Sequence, residues 1–422
     1  MTIRMTKETE MKDAIRAFVD EHFEEQVALL AKLVQCPSDN PPGDCAAHAE
    51  LAAGLLEQLG FVVERHVVDE AAVRAAGMRS VTNLIVRDTF GPGPTIALNA
   101  HGDVVPPGAG WSDGPYSGIV RDGWLYGRGA AVSKSDFTTY AYAMLALRAL
   151  KRQGADFSGS VELHLTYDEE TGGLAGPGWL LERKLSTPDY VISAAFTHHV
   201  VVAHNGCLHL EITVHGRSAH AAFPTTGADA IEAASVLLNA LYAYRDRLSG
   251  RASRVPGIGS PTLIVGLIEG GINTNVVADQ ATLRIDRRII PEEDPVAVEA
   301  ELKDVVQQAL AALPGVSADV RRILLAHPLR PTAASERLAG LLCAQADDIL
   351  GKPVTTIGMP LYTDARLYSE AGIPTVMFGA GPADPLEANG HRANERVPLH
   401  ELRMATRIVA GALVELMSGD AP

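Results

Sequence analysis

Apolar residues recur at helical spacing over residues 10–33 and 47–59, whereas TIALNA (95–100) and SVELHLTY (160–167) are short apolar runs that predict buried strands. Helical and strand-like patterns alternate in this way through the first half of the chain, which predicts an α/β fold. Each apolar strand is followed at once by polar residues: His101 and Asp103 after the first, Asp168, Glu169 and Glu170 after the second. Sites in open α/β sheets form just beyond the carboxyl ends of strands. From about Gly206 the texture changes. LHLEITVHG, TLIVGLIEGG and ATLRIDRRII read as strands, and helices are predicted through ADAIEAASVLLNALYAYRDRL and over about 294–312. Two helices among strands in so short a stretch predict a self-contained α+β unit over 206–325, inserted into a discontinuous domain made of 1–205 and 326–422. PVTTIG, ARLYSEAG and IPTVMFG resume the first style, and SGRASRVPGIGSP and GPADPLEANG are loops rich in Gly and Pro.

A chain of 422 residues is long enough for two to three domain-sized units. With 47% hydrophobic and 21% charged residues it has ample material for a core, which excludes a disordered chain. The net charge of −15 disfavours nucleic acid or an anionic membrane as partner, so small molecules become the expected ligand class. The N-terminal stretch MTIRMTKETEMKDAIRAFVDEHFEEQ is charged and has no apolar signal region, and no run of about 18 apolar residues follows, so a cytoplasmic location is expected. Cys36, Cys45, Cys207 and Cys343 have no CxxC spacing and are expected as free thiols.

Four polar clusters can carry chemistry. His101 and Asp103 in LNAHGDVVPPG are two apart, so an extended backbone places them on one face. That suits a metal-ligating imidazole oriented by a carboxylate, although the triplet by itself reads first as a surface His-Gly-Asp turn. In YDEETGG, adjacent acids that diverge can divide labour, one holding a cation and the other taking a proton from water. NGHRANERVP offers His391 and Glu395, and HGRSAHAAFP offers His220 inside the inserted unit.

Together these motifs resemble the M20 metallopeptidase family, the relatives of acetylornithine deacetylase, succinyl-diaminopimelate desuccinylase and aminoacylase. The resemblance runs through SDNPPG, AHGDVVP, WSDGPYSG, LYGRGA, TYDEETGG, GRSAHAAFPTTGADAI, INTNVVAD, DRRIIP, TDA and GHRANE, nearly the whole chain. It implies an α/β zinc-peptidase-like catalytic domain interrupted by a smaller α+β dimerisation or lid domain. It also implies His101, Glu170 and His391 as metal ligands, Asp103 as the orienting carboxylate and Glu169 as general base. By the same resemblance His220 stabilises an oxyanion in a neighbouring subunit's site, and Asn275 and Arg288 bind substrate. A divalent transition metal (Zn, Mn or Co), a small carboxylate-bearing substrate and a homodimer or higher homo-oligomer follow from it.

Two departures set this chain apart. The acid of the family's GRGxxDxK, which bridges two metal ions, falls on Val132, and the acid that normally follows a later strand falls on Ala195. With both absent, one metal ion per chain is expected. Asp136 reads either as part of a helix-capping box with Ser133 or as a replacement ligand, and His198 and His199 are further replacement candidates. The expected activity is metal-dependent hydrolysis of a C–N bond. An alternative is the branch similar to 5-nitroanthranilate aminohydrolase, in which hydroxide displaces an amino group from an electron-poor aromatic acid. A non-catalytic, metabolite-binding relative is the third reading.

Overall fold

A computed structural model describes residues 2–419, with side chains from residue 9 onward. The chain divides into two compact units: residues 1–202 with 331–357 and 363–422, and residues 203–330 with 358–362. The second unit thus begins and ends a few residues outside the expected 206–325 and takes back one short later segment.

The first unit is built on a mixed sheet. The first six of its eight strands run in the order Val63–Val67, Thr82–Thr89, Ser160–Thr166, Thr95–His101, Tyr190–Ser193 and Thr375–Met377. Ser160–Thr166, Thr95–His101, Tyr190–Ser193 and Thr375–Met377 are parallel neighbours, so their carboxyl ends share one edge. The central strands are buried along nearly their whole length because both faces are covered, the condition typical of parallel sheets, and they bury Asn99, Glu162 and His164 among their apolar residues. The helices Thr2–Gln35, Ser135–Arg152, Ala333–Leu350 and Leu399–Ser418 contribute to the core that covers them. Helix Ser135–Arg152 buries residues around its whole circumference, so it lacks the amphipathic stripe by which a surface helix is read from sequence.

The second unit is a four-stranded antiparallel sheet in the order Thr262–Gly270, Gln280–Ile289, Gly206–His215, Ser317–Ala326. Leu208, Leu210, Ile212 and Val214 alternate onto the face covered by helices Ala230–Leu248 and Pro295–Leu310. Cys207, His209 and Glu211 lie on the opposite face. The strand Ser317–Ala326 lacks a clean alternation because a bulge between Arg322 and Leu324 shifts its register. Among the described residues, no helix is long and apolar enough to cross a membrane.

Candidate metal-binding active site

His101 ends its strand on the shared carboxyl edge, and the turn carrying Glu169 and Glu170 leaves the neighbouring strand there. One ligand atom from each of His101, Glu169 and Glu170 lies within 4.8 Å of the others. His101 Nδ1 is 2.9 Å from the Asp103 carbonyl oxygen and 3.5 Å from its carboxylate, which leaves Nε2 for a ligand. Fully buried, the Asp103 carboxylate accepts hydrogen bonds from Asn40 Nδ2 (2.9 Å) and from the backbone N–H groups of Glu169 (3.4 Å) and Glu170 (3.3 Å). Asp103 therefore orients the imidazole and also the turn that presents both acids. Asp103→Asn is expected to weaken metal binding about 10–100-fold, the usual effect of losing such a support, as measured by equilibrium dialysis.

The charges favour a cation. Burial alone would push His101 down, but Glu169, Asp103 and Glu170 outweigh it and hold the imidazole well above its ordinary value. Burial, only partly opposed by His101, holds the Glu169 carboxyl well above the carboxylate range. Asp364 is pushed up to about 7, first by burial. His391 Nε2 stands 3.2 Å from Glu170 Oε1. An imidazole nitrogen and a carboxylate oxygen that face each other, beside a second imidazole and a second acid, form a donor set suited to a divalent ion. His391 itself is half exposed and adopts a positive φ of 61°. The Glu170 carboxylate facing it holds its imidazole above the ordinary range.

Asp364 carries no role in the sequence reading, although it lies in the quoted TDA triplet. Its carboxyl is buried, with Oδ2 3.5 Å from Thr166 Oγ1. Gly173, at φ +75°, passes so close to it that a Cβ there would collide with Oδ1. Asn40, which steadies Asp103, was likewise visible only as part of SDNPPG.

The turn at Val132 is held from outside. Glu395 is fully buried, pairs with Arg128 at 2.6 Å and accepts the N–H groups of Ala131 and Val132, each at 3.1 Å. Glu395→Ala leaves Arg128 buried and unpaired and is expected to cost about 3–5 kcal/mol, read from urea denaturation midpoints. Val132 is half buried, and its Cγ2 packs toward Gly390, the neighbour of His391. Ala195 is buried.

The candidate replacements do not join the group. The expected capping box is not formed. Ser133 Oγ bonds instead to the backbone of His101, and the helix begins at Ser135. Asp136 Oδ1 accepts the Ala380 N–H at 2.6 Å, and burial holds its carboxyl well above the usual range. His198 is buried with Nδ1 3.7 Å from Glu401, and its ring lies 4.7 Å from that of His199.

The other three predicted residues belong to the second unit. His220 is exposed, its Nδ1 accepting the Ala222 N–H at 3.0 Å, and Asn275 is held beside it by the bond from Ala221 N to its carbonyl. Arg288 is half buried, and its fork is engaged by Asp286 through Nε–Oδ1 and Nη2–Oδ2 contacts of 3.1 Å each.

Fold and site define a metal-binding hydrolase of the α/β class. The profile of Peptidase family M20/M25/M40 matches residues 97–415. The succinyl-diaminopimelate desuccinylase of Methylobacterium nodulans is 30% identical over 409 residues, covering 94% of this chain and 97% of that protein. An acetylornithine deacetylase from Myxococcus xanthus is 29% identical and covers 88% and 92%. Among solved structures, a dinuclear metal-binding M20 peptidase from Bacillus subtilis shares the fold with a TM-score of 0.67 at 18% identity, covering 94% of this chain and 99% of that one. The chain belongs to Peptidase family M20/M25/M40 and is a hydrolase acting on carbon–nitrogen bonds.

Proposed function

We propose that this chain hydrolyses a C–N bond in a small carboxylate-bearing molecule with a single divalent ion at each active site. The observation that carries the reading is the buried His101–Glu169–Glu170 group with His391 beside it, together with Val132 and Ala195 where two acidic ligands would be expected. His101, Glu170 and His391 would hold the ion. Such an ion, when bound, lowers the pKa of water into the neutral range and polarises the bond under attack. Glu169 accepts the proton of the attacking water and returns it to the leaving nitrogen. Asp103 keeps His101 and both acids in register throughout. Arg288 gives two of its five N–H groups to Asp286 and would offer others to a substrate carboxylate, and Asn275 adds a polar contact.

His220 is assigned to a neighbouring subunit's site, where it steadies the developing oxyanion. The active assembly is then at least a dimer. Mixed oligomers of His220→Ala and Glu169→Gln subunits should recover a fraction of the activity that each lacks alone, and no recovery in verified hybrids removes this assignment.

Amide cleavage is the first reading, since the desuccinylase and deacetylase relatives carry that chemistry in their names. A second reading, displacement of an amino group from an aromatic acid, is favoured by Val132. Its side chain puts an apolar wall beside Gly390 where an anion would otherwise stand, and a ring that delocalises the incoming charge needs less help from metal. A panel of N-acyl amino acids and aminobenzoates separates the two. Release of a free amino acid supports the first reading and release of ammonia the second. Binding without turnover across the panel overturns both readings of the substrate.

A further inference from the structure

On the helix-free face of the second unit's sheet, three side chains converge. Cys207 and His209 stand two apart on Gly206–His215, hence on one face, and Asp286 is the direct cross-strand partner of His209. Cys207 Sγ lies 3.1 Å from His209 Nε2 and 3.7 Å from Asp286 Oδ1, and the same His209 Nε2 lies 3.2 Å from Asp286 Oδ2. Cys207 is buried, whereas His209 and Asp286 are each about a third exposed, so the group is open on one side.

A hydrogen-bonded triad does not account for this geometry. In a Cys–His–Asp relay the two imidazole nitrogens face different partners, one the sulfur and the other the carboxylate. Here a single nitrogen faces both, and it carries at most one proton to give. Three donors crowded round one point are, in contrast, what a tetrahedral ion requires. Zinc bonds of about 2.3 Å to sulfur and about 2.0–2.2 Å to nitrogen and oxygen give ligand-to-ligand edges of about 3.3–3.6 Å at tetrahedral angles. The observed edges of 3.1, 3.2 and 3.7 Å depart from these by less than half an ångström or so.

From this geometry we infer a second metal site, separate from the His101 group, in which Cys207, His209 and Asp286 bind a thiophilic divalent ion of the zinc class. Sulfur, imidazole and carboxylate together suit zinc or cobalt and not the hard ions magnesium or calcium. The thiol loses its proton to the solvent as the ion binds, and three protein ligands leave the fourth position to water or a small anion. Arg288 completes the arrangement. Its fork holds both Asp286 oxygens at 3.1 Å, and since each oxygen has two lone pairs, Asp286 can keep Arg288 and still bind the ion. The guanidinium, 5.6 Å from the Tyr362 ring centroid, orients the carboxylate as outer partners of metal ligands do.

Cobalt(II) tests this without reference to turnover, because only a thiolate ligand gives the intense sulfur-to-cobalt charge-transfer absorption. Cys36, Cys45 and Cys343 belong to the first unit, and among the described residues the other three-ligand group, His101–Glu169–Glu170, contains no sulfur. The full-length chain carrying Glu170→Gln and His391→Ala, titrated with cobalt, should still take up one ion per chain with the charge-transfer band. Adding Cys207→Ala should abolish the band. His209→Gln, which keeps the sulfur, should weaken binding by more than the about 10–100-fold typical of losing an outer partner. Circular dichroism spectra matching the parent establish that both variants are folded. No thiolate band in the parent, or a band that survives Cys207→Ala, overturns the site.

Discussion

Glu169→Gln is expected to lower turnover by about 10²–10⁴-fold, the range that a positioned general base contributes, while the chain retains its metal. Gln is nearly isosteric with Glu but cannot accept the proton. The two adjacent acids differ in surroundings: Glu170 Oε1 faces His391 at 3.2 Å, whereas the Glu169 carboxyl is held above its ordinary range by burial and lies closest in charge to His101. The division of labour is measurable. Glu170→Gln should release metal and lose activity together, whereas Glu169→Gln should lose activity with a metal dissociation constant close to that of the parent. Equal losses of metal in both variants would make Glu169 a ligand and leave the proton transfer to another group, for which buried Asp364, whose charge raises the Glu169 carboxyl, is a candidate.

Val132→Asp is expected to raise occupancy of the active site from one divalent ion toward two. Two dications about 3.5–4 Å apart repel by about 17–19 kcal/mol at an effective dielectric of about 20, so a pair persists only with an anion shared between them. Val132 supplies none. The Glu395 carboxylate that grips its turn is already committed to Arg128 and to the N–H groups of Ala131 and Val132. Elemental analysis in a Cys207→Ala background, which removes the site proposed in the second unit, should give one ion per chain before the change and approach two after it. The native activity should be reshaped or lost, because an anion would then stand beside Gly390 and His391 in place of an apolar wall. Two ions in the Val132 chain, both needed for turnover, would return the enzyme to an ordinary two-metal mechanism.

Much of the catalytic unit was legible because its information is local. TIALNAHGD and SVELHLTYDEE each join a buried strand to the polar residues at its carboxyl end, and parallel pairing of the two strands brings the ends together. Helix Ser135–Arg152, buried on all sides, carries no amphipathic signal and was not anticipated beyond its start. The strand Ser317–Ala326 was missed because its bulge breaks the alternation by which a half-buried strand is recognised. The capping box at Ser133 failed for a tertiary reason: the hydroxyl that would have capped the helix is taken by the backbone of His101, thirty-two positions earlier.

From the order of its residues alone this chain determined the α/β class, the metal-hydrolase family and the absence of acids at 132 and 195, since patterning, motif spacing and residue identity are properties of the sequence. Only the tertiary structure decided that Asp103 holds the Glu169–Glu170 turn as well as His101, that Asp364 is buried beside the group, and that Glu395 grips the turn at Val132. It alone placed Asp286 across from His209 and within reach of Cys207. These relations join residues that are between 2 and 267 positions apart through hydrogen bonds, strand register and desolvation, and the same carboxylate is a ligand, a base, a clamp or a solvated side chain according to what the fold brings within about 3 Å of it.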